Sequence, residues 1–106
     1  MAKEVVIATY QVRPEAEPAF RRLIERHWQT LARLGFATGV PAQVFRSQGE
    51  PPAYVEVFTW HEEGAHLAHQ HPDVIEIWEG MELLVKARHG LPARDFPRFA
   101  QVHPGV

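Results

Sequence analysis

The sequence predicts an α+β domain in which an antiparallel sheet is covered by helices, and three observations carry that prediction. Apolar residues at Phe20, Leu23, Ile24, Trp28, Leu31 and Leu34 recur at spacings of three and four, the period of an amphipathic helix. Residues 4–12, 42–47 and 53–60 are dense in β-branched and aromatic side chains and are bounded by Pro- and Gly-containing stretches, as strands are. Pro72 opens a second helical stripe of Val74, Ile77, Trp78, Met81, Leu84 and Val85 that runs to about Ala87. The order strand, helix, strand, strand, helix pair, strand is the split βαβ pattern of a ferredoxin-like fold.

Length and composition bound what this domain can do. With 106 residues, 45% of them hydrophobic, residues 1–106 form one domain that buries roughly two thirds of its unfolded surface. A net charge of -2 and a pI near 6.4, with no basic block interleaved with aromatics, argue against a nucleic-acid partner. No stretch reaches the length of a membrane span. The absence of cysteine excludes disulfides and thiolate chemistry and fits a reducing, cytoplasmic compartment. There is no asparagine, arginine outnumbers lysine, and there are nine prolines; the bias points to a GC-rich genome or a thermophilic source.

In chain order, MAKEVVIATY reads as the start of a strand and not as a leader. Val6, Ala8, Tyr10 and Val12 alternate with Val5, Ile7 and Thr9, so the first strand is apolar on both faces and needs a second cover, such as another subunit. Pro14 and Pro18 suit the first turn of the long helix, Glu15 and Glu17 its positive end, and Gly35 its left-handed C′ position, with Phe36 folding back. The two middle strands form a hairpin around the turn-rich Gln48–Pro52 tip. Tyr54, Glu56, Phe58 and Trp60 share one face of its second strand. Residues 61–69 predict a short helix with an acidic first turn, ended by Pro72. Gly80 in the next helix points to close packing. A loop over 90–95 and a last strand over 96–103 complete the domain.

The segment FTWHEEGAHLAHQHPDVIEIWEGMELLV, in which a strand leaves through a tryptophan into a helix with an Ala-His step and then a proline-started helix, resembles antibiotic biosynthesis monooxygenase-like domains. These belong to the dimeric α/β-barrel superfamily. The resemblance spans residues 5–102 in element order and is specific over 54–84. It implies a dimeric α/β barrel, in which a homodimer packs two sheets face to face, and a pocket for a small-molecule ligand between sheet and helices. Some relatives oxidise quinol-like or polyketide substrates with oxygen and no bound cofactor, so the resemblance implies an oxidoreductase that needs none. Other relatives degrade haem with an asparagine among the pocket residues, which this chain lacks. His66 matches the family's Ala-His step.

Within that resemblance the catalytic candidates are His66 and His69, since an imidazole titrating near neutrality can take a proton from a phenolic or enolic substrate. Tyr10, Phe58, Trp60, Trp78 and Met81 are the candidate substrate-binding residues, rings and a thioether suited to a flat ligand; ordinary core packing is the plainer account of each. Glu62, His66 and His69 have helical spacing for a two-histidine, one-carboxylate metal site, but a solvated histidine-rich face explains them as well, and no metal is assigned. His27 reads as a boundary histidine beside the buried stripe. Glu56 reads as a carboxylate on the sheet rim or one paired with an arginine across a dimer interface; the alternative is a general base among aromatic neighbours. Two function classes remain: a monooxygenase-like enzyme acting on a phenolic, quinol or polyketide-like molecule, and a non-catalytic dimeric module that binds a small ligand or assembles. A histidine-based metal or haem protein is a lesser alternative.

Overall fold

The computed structural model describes residues 4–86 and 98–100. β1 (Val5–Val12) leads through a 3-10 turn at Pro14–Ala16 into α1 (Glu17–Arg33), followed by β2 (Gln43–Arg46), β3 (Ala53–Thr59), α2 (Gly64–Ala68), α3 (Pro72–Leu84), β4 (Val85–Lys86) and β5 (Arg98–Phe99). The sheet order is β2-β3-β1-β4, and β5 also pairs with β1. Every pairing is antiparallel. The α+β class and the antiparallel sheet are as the sequence predicts.

Local chemistry explains most boundaries. Pro14 and Pro18 lie in the turn before α1 and at its first positions, where a missing N–H removes no helical bond. Gly35 closes α1 at φ +80°, a conformation that costs a Cβ-bearing residue energy. The Phe36 N–H then donates to the Leu31 carbonyl at 2.8 Å, folding Phe36 back over the last turn as expected.

Two elements are shorter than their patterns. The helix expected over 61–69 is confined to Gly64–Ala68, preceded by Glu63 in the left-handed region at φ 67°. The α3 stripe stops at Leu84, because Val85 pairs with Val12 and carries its buried side chain into the sheet as part of β4. A β-branched residue with a free strand edge beside it gains more there than in another helical turn. The last strand is seen as Arg98–Phe99, pairing with Val6 and Val5; the rest of the expected strand, and the expected loop over 90–95, lie outside the described residues.

The core fills the space between the sheet and α1 and α3. Val6, Ala8, Tyr10 and Val12 of β1 and Tyr54, Phe58 and Trp60 of the β3 segment face Phe20, Ile24 and Leu31 of α1 and Val74, Ile77, Trp78 and Met81 of α3. Gly80 lets the two long helices approach: a Cβ there would stand 3.1 Å from Leu23 Cδ1. The opposite sheet face is apolar too. Three of its cross-strand rows, Phe45–Val55–Thr9, Gln43–Val57–Ile7 and Thr59–Val5–Phe99, hold no charged residue, and the row Ala53–Gln11–Lys86 ends in a lysine. Ile7, Phe45 and Phe99 keep 38%, 56% and 46% of their surface exposed.

Candidate functional site

Two polar residues stand at core positions of their elements, and they meet. His27 follows Ile24 by three and precedes Leu31 by four on the buried face of α1, and Glu56 alternates with Tyr54 and Phe58 on the buried face of β3. Both are fully buried. His27 Nδ1 lies 3.0 Å and 2.9 Å from the two carboxylate oxygens of Glu56. The Tyr10 hydroxyl donates to Glu56 Oε1 at 2.8 Å, and the Trp78 indole N–H donates to His27 Nε2 at 2.8 Å.

The direction of this chain follows from what each group can do. An indole nitrogen only donates, so His27 Nε2 is the acceptor and Nδ1 carries the proton given to Glu56. Donation thus runs from Trp78 to His27 to Glu56, with Tyr10 converging on the same carboxylate. Rings surround it: Phe58 meets the His27 ring edge-on at 5.5 Å, Trp60 meets Phe58 at 5.0 Å, and Phe20 meets Tyr10 at 5.1 Å. A buried carboxylate is tolerated only when such donors replace the water it has lost.

His27 and Glu56 are the corrections to the sequence reading. His27 is not a boundary residue but the polar centre of the core, because its place between Ile24 and Leu31 puts it on the helix face that meets the sheet. Glu56 is neither on the rim nor paired with an arginine; its partners are an imidazole and a phenol of its own chain. The signal was present as two polar side chains of complementary chemistry, each in core phase on its own element.

Of the predicted pocket residues, Tyr10, Phe58, Trp60, Trp78 and Met81 are all buried in one cluster, and Tyr10, Phe58 and Trp78 touch the Glu56–His27 pair directly. His69 lies outside on α2's C-terminal end, its Nδ1 2.6 Å from the Ala65 carbonyl and its ring 4.8 Å from Trp78. His66 is exposed, and its Nε2 lies 3.2 Å from the Gln70 amide nitrogen. Glu62 precedes α2, so the helical spacing that would align it with His66 does not arise. Among the described residues no three histidine or carboxylate side chains converge on a common point.

A second polar cluster lies at the surface where α1 crosses β2 and β3. Arg46 makes a bidentate pair with Glu17 and also donates to Glu50 at 3.1 Å. The Tyr54 hydroxyl donates to Glu17 and accepts from Arg21 Nε at 2.8 Å. The hydrogen bonds from Arg46 and then from Tyr54 hold the Glu17 carboxyl down at about 2, from an ordinary 4.5, and the bonds to Glu17 and then Glu50 raise the Arg46 guanidinium. The Tyr54 hydroxyl raises Arg21 in the same way.

The fold, with helices on one face of an antiparallel sheet, has solved counterparts. The cofactor-independent oxygenase SnoaB from Streptomyces nogalater superposes with a TM-score of 0.75 over 99% of this chain and 98% of that one, at 15% identity. The chain has an antibiotic biosynthesis monooxygenase-like fold. A Nitrosomonas europaea protein proposed to be an antibiotic biosynthesis monooxygenase matches at 0.74 over 97% of this chain and 93% of its own, at 12% identity. A conserved protein from Methanosarcina mazei Go1 matches at 0.72, covering 93% and 92%, at 16% identity. No family model and no curated protein sequence matches the chain, so the likeness to this monooxygenase-like fold rests on structure. Among the described residues no helix is long and apolar enough to cross a membrane.

Proposed function

We propose that the chain is a homodimeric, cofactor-independent oxygenase acting on a phenolic, quinol or polyketide-like small molecule. The observation that carries this reading is the Tyr10–Glu56–His27–Trp78 chain, an oriented acid–base unit in an apolar interior. The fold it shares with SnoaB supports the same class. Glu56 serves as general base: it takes the substrate's acidic proton while the His27 N–H and Tyr10 O–H hold the carboxylate in place. The resulting electron-rich anion reduces dioxygen and forms a carbon–oxygen bond. Cleavage of the O–O bond then leaves a carbonyl on the product and releases the second oxygen atom as water, so a CH2 group becomes C=O at the expense of one O2.

A second copy of the chain covers the outer sheet face in this reading. Three of its rows carry no charge, so a two-fold related copy meets them without like-charge repulsion, and an apolar face of this extent is unusual on a monomer.

The test is oxygen uptake with a panel of naphthols, hydroquinones and anthrones, by the wild type and by Glu56→Gln, His66→Ala and His69→Ala. The proposal expects uptake by the wild type and a loss of ~100-fold or more in Glu56→Gln, the scale of a general base, with the exposed histidine variants close to wild type. Loss in His66→Ala or His69→Ala alone moves the base to the α2 surface. The sealing of the whole network from solvent favours one other reading, a non-catalytic small-ligand module; no uptake across the panel would establish that reading in place of the enzyme.

A further inference from the structure

Beside the α1–β2 polar cluster lies a cleft of about 270 Å³ lined by Arg21, Ile24, Glu25, Val44, Arg46 and Tyr54. Its inner wall backs onto the buried acid–base unit. Val44 is the register partner of Glu56 on the neighbouring strand, and Ile24 precedes His27 by one turn on the same buried face of α1. Tyr54 precedes Glu56 by two residues on the same sheet face. Ile24, Val44 and Tyr54 therefore form the partition between the cleft and the interior.

The two guanidinium groups at this cleft differ in what they have left to offer. Arg46 is held by Glu17 and Glu50, so its charge is already matched. Arg21 gives its Nε–H to Tyr54 and, among the described residues, has no carboxylate at ion-pair distance. The phenol fixes the base of the guanidinium while both terminal NH2 groups remain available, a fork whose geometry matches a planar carboxylate. Glu25 lies four residues further along the helix and lines the same cleft, which disfavours a ligand carrying a second negative charge.

We propose that this cleft binds a small aromatic monocarboxylate, with Arg21 pairing the carboxylate and Ile24 and Val44 receiving the ring. The inference deepens the oxygenase reading and rests on it for one point, that the ligand held here is the substrate or its close analogue. The cleft is then the place where the substrate docks before it passes the partition to Glu56, and Arg21 is the residue that selects acidic over neutral aromatics.

The experiment is isothermal titration at pH 7 and low ionic strength with 1-naphthoate and the neutral 1-naphthamide, on the wild type and on Arg21→Gln, Arg22→Gln and Val44→Trp. Circular dichroism checks each fold. The wild type is expected to bind the acid about tenfold or more tightly than the amide, the scale of one charge-assisted bidentate contact. Arg21→Gln removes that preference, Arg22→Gln on the adjacent exposed position keeps it, and Val44→Trp weakens both ligands by filling the cleft. Equal affinities in the wild type, no binding of the acid at millimolar concentration, or a preference that survives Arg21→Gln would overturn the inference. Binding is measured without turnover, so the two ideas fail separately. A clear acid preference with no oxygen uptake leaves a ligand-binding cleft and removes the oxygenase; uptake with neutral quinols and no acid preference does the reverse.

Discussion

His27 receives a hydrogen bond on one ring nitrogen and gives one from the other, and that opposite sense makes it the residue on which the interior depends. Removing it takes the imidazole donor from the buried Glu56 carboxylate, to which Tyr10 still donates, and takes from the Trp78 N–H its bond to His27 Nε2. His27→Ala should therefore lower unfolding free energy by about 3–5 kcal/mol, the scale for breaking a buried pair by removing one partner, as read by urea denaturation. The triple change His27→Leu, Glu56→Leu and Tyr10→Phe removes the carboxylate together with its imidazole and phenol donors, and only the Trp78–His27 bond stays lost. It should recover most of that loss, since apolar replacement of a buried pair is often close to neutral; a triple variant as unstable as the single would show that shape and not polarity dominates. At the surface, Glu17 carries a different prediction. Its carboxyl is held at about 2 in the folded chain against an ordinary 4.5, so the unfolded chain binds more protons between those values. Its stabilising effect is complete above about pH 4.5 and is lost as pH falls toward 2. Melting temperatures from pH 6 to 2 should fall less steeply in that window for Glu17→Gln than for the wild type.

The elements were mostly legible because each has a period. The three-and-four spacing from Phe20 to Leu34, the alternation through β1 and β3, and the prolines at the starts of α1 and α3 act within a few residues, and the chain obeys them. α2 departs from its pattern for a reason outside itself. Gly64, its first residue, sits against the preceding loop so closely that an added Cβ would stand 1.9 Å from the Phe36 carbonyl oxygen, while the same oxygen accepts from the His61 N–H at 2.9 Å. This contact ties the α1–β2 loop to the α2 entrance and leaves no room for a side chain. Gly64→Ala must displace α2 or the loop. It should destabilise the domain by about 1–3 kcal/mol as an overpacking change, although alanine is the better helix former, and hydrogen exchange should show the lost protection concentrated at Phe36 and residues 61–68. A variant at least as stable as the wild type would mean that the loop relaxes freely.

At the scale of the whole molecule, the sheet has helices on one face and a largely apolar surface on the other, with Lys86 in one of its rows. The proposed second copy accounts for that surface, and the contact is open to test at its centre. Ile7 lies on the outer sheet face beside Val57, with its side chain directed away from the core. Ile7→Glu should leave the monomer fold intact, because Ile7 contributes nothing to the interior cluster, while placing two carboxylates near a two-fold axis in a low-dielectric contact. Native mass spectrometry is expected to give a dimer for the wild type and a monomer for Ile7→Glu. A wild type that is monomeric at tens of micromolar would remove the second copy from the proposal.

The sequence by itself determined the fold class, the order of the elements, the two apolar faces of β1 and the aromatic residues that gather inside, because hydrophobic period and turn chemistry act locally and need no knowledge of what lies across the core. It also held His27 and Glu56 in core phase, but it had no means of bringing residues 29 positions apart within 3 Å. Only the tertiary structure decided that these two pair with each other, that Trp78 sets the direction of the imidazole, that His66 stays on the surface, and that Arg21, with no carboxylate at ion-pair distance among the described residues, stands beside a cleft that Ile24 and Val44 also line. Those outcomes depend on how α1 lies across β3 and how α3 lies against α1. Helix placement over a sheet is a property of the assembled core, shared among all its residues, and no single stretch of chain encodes it.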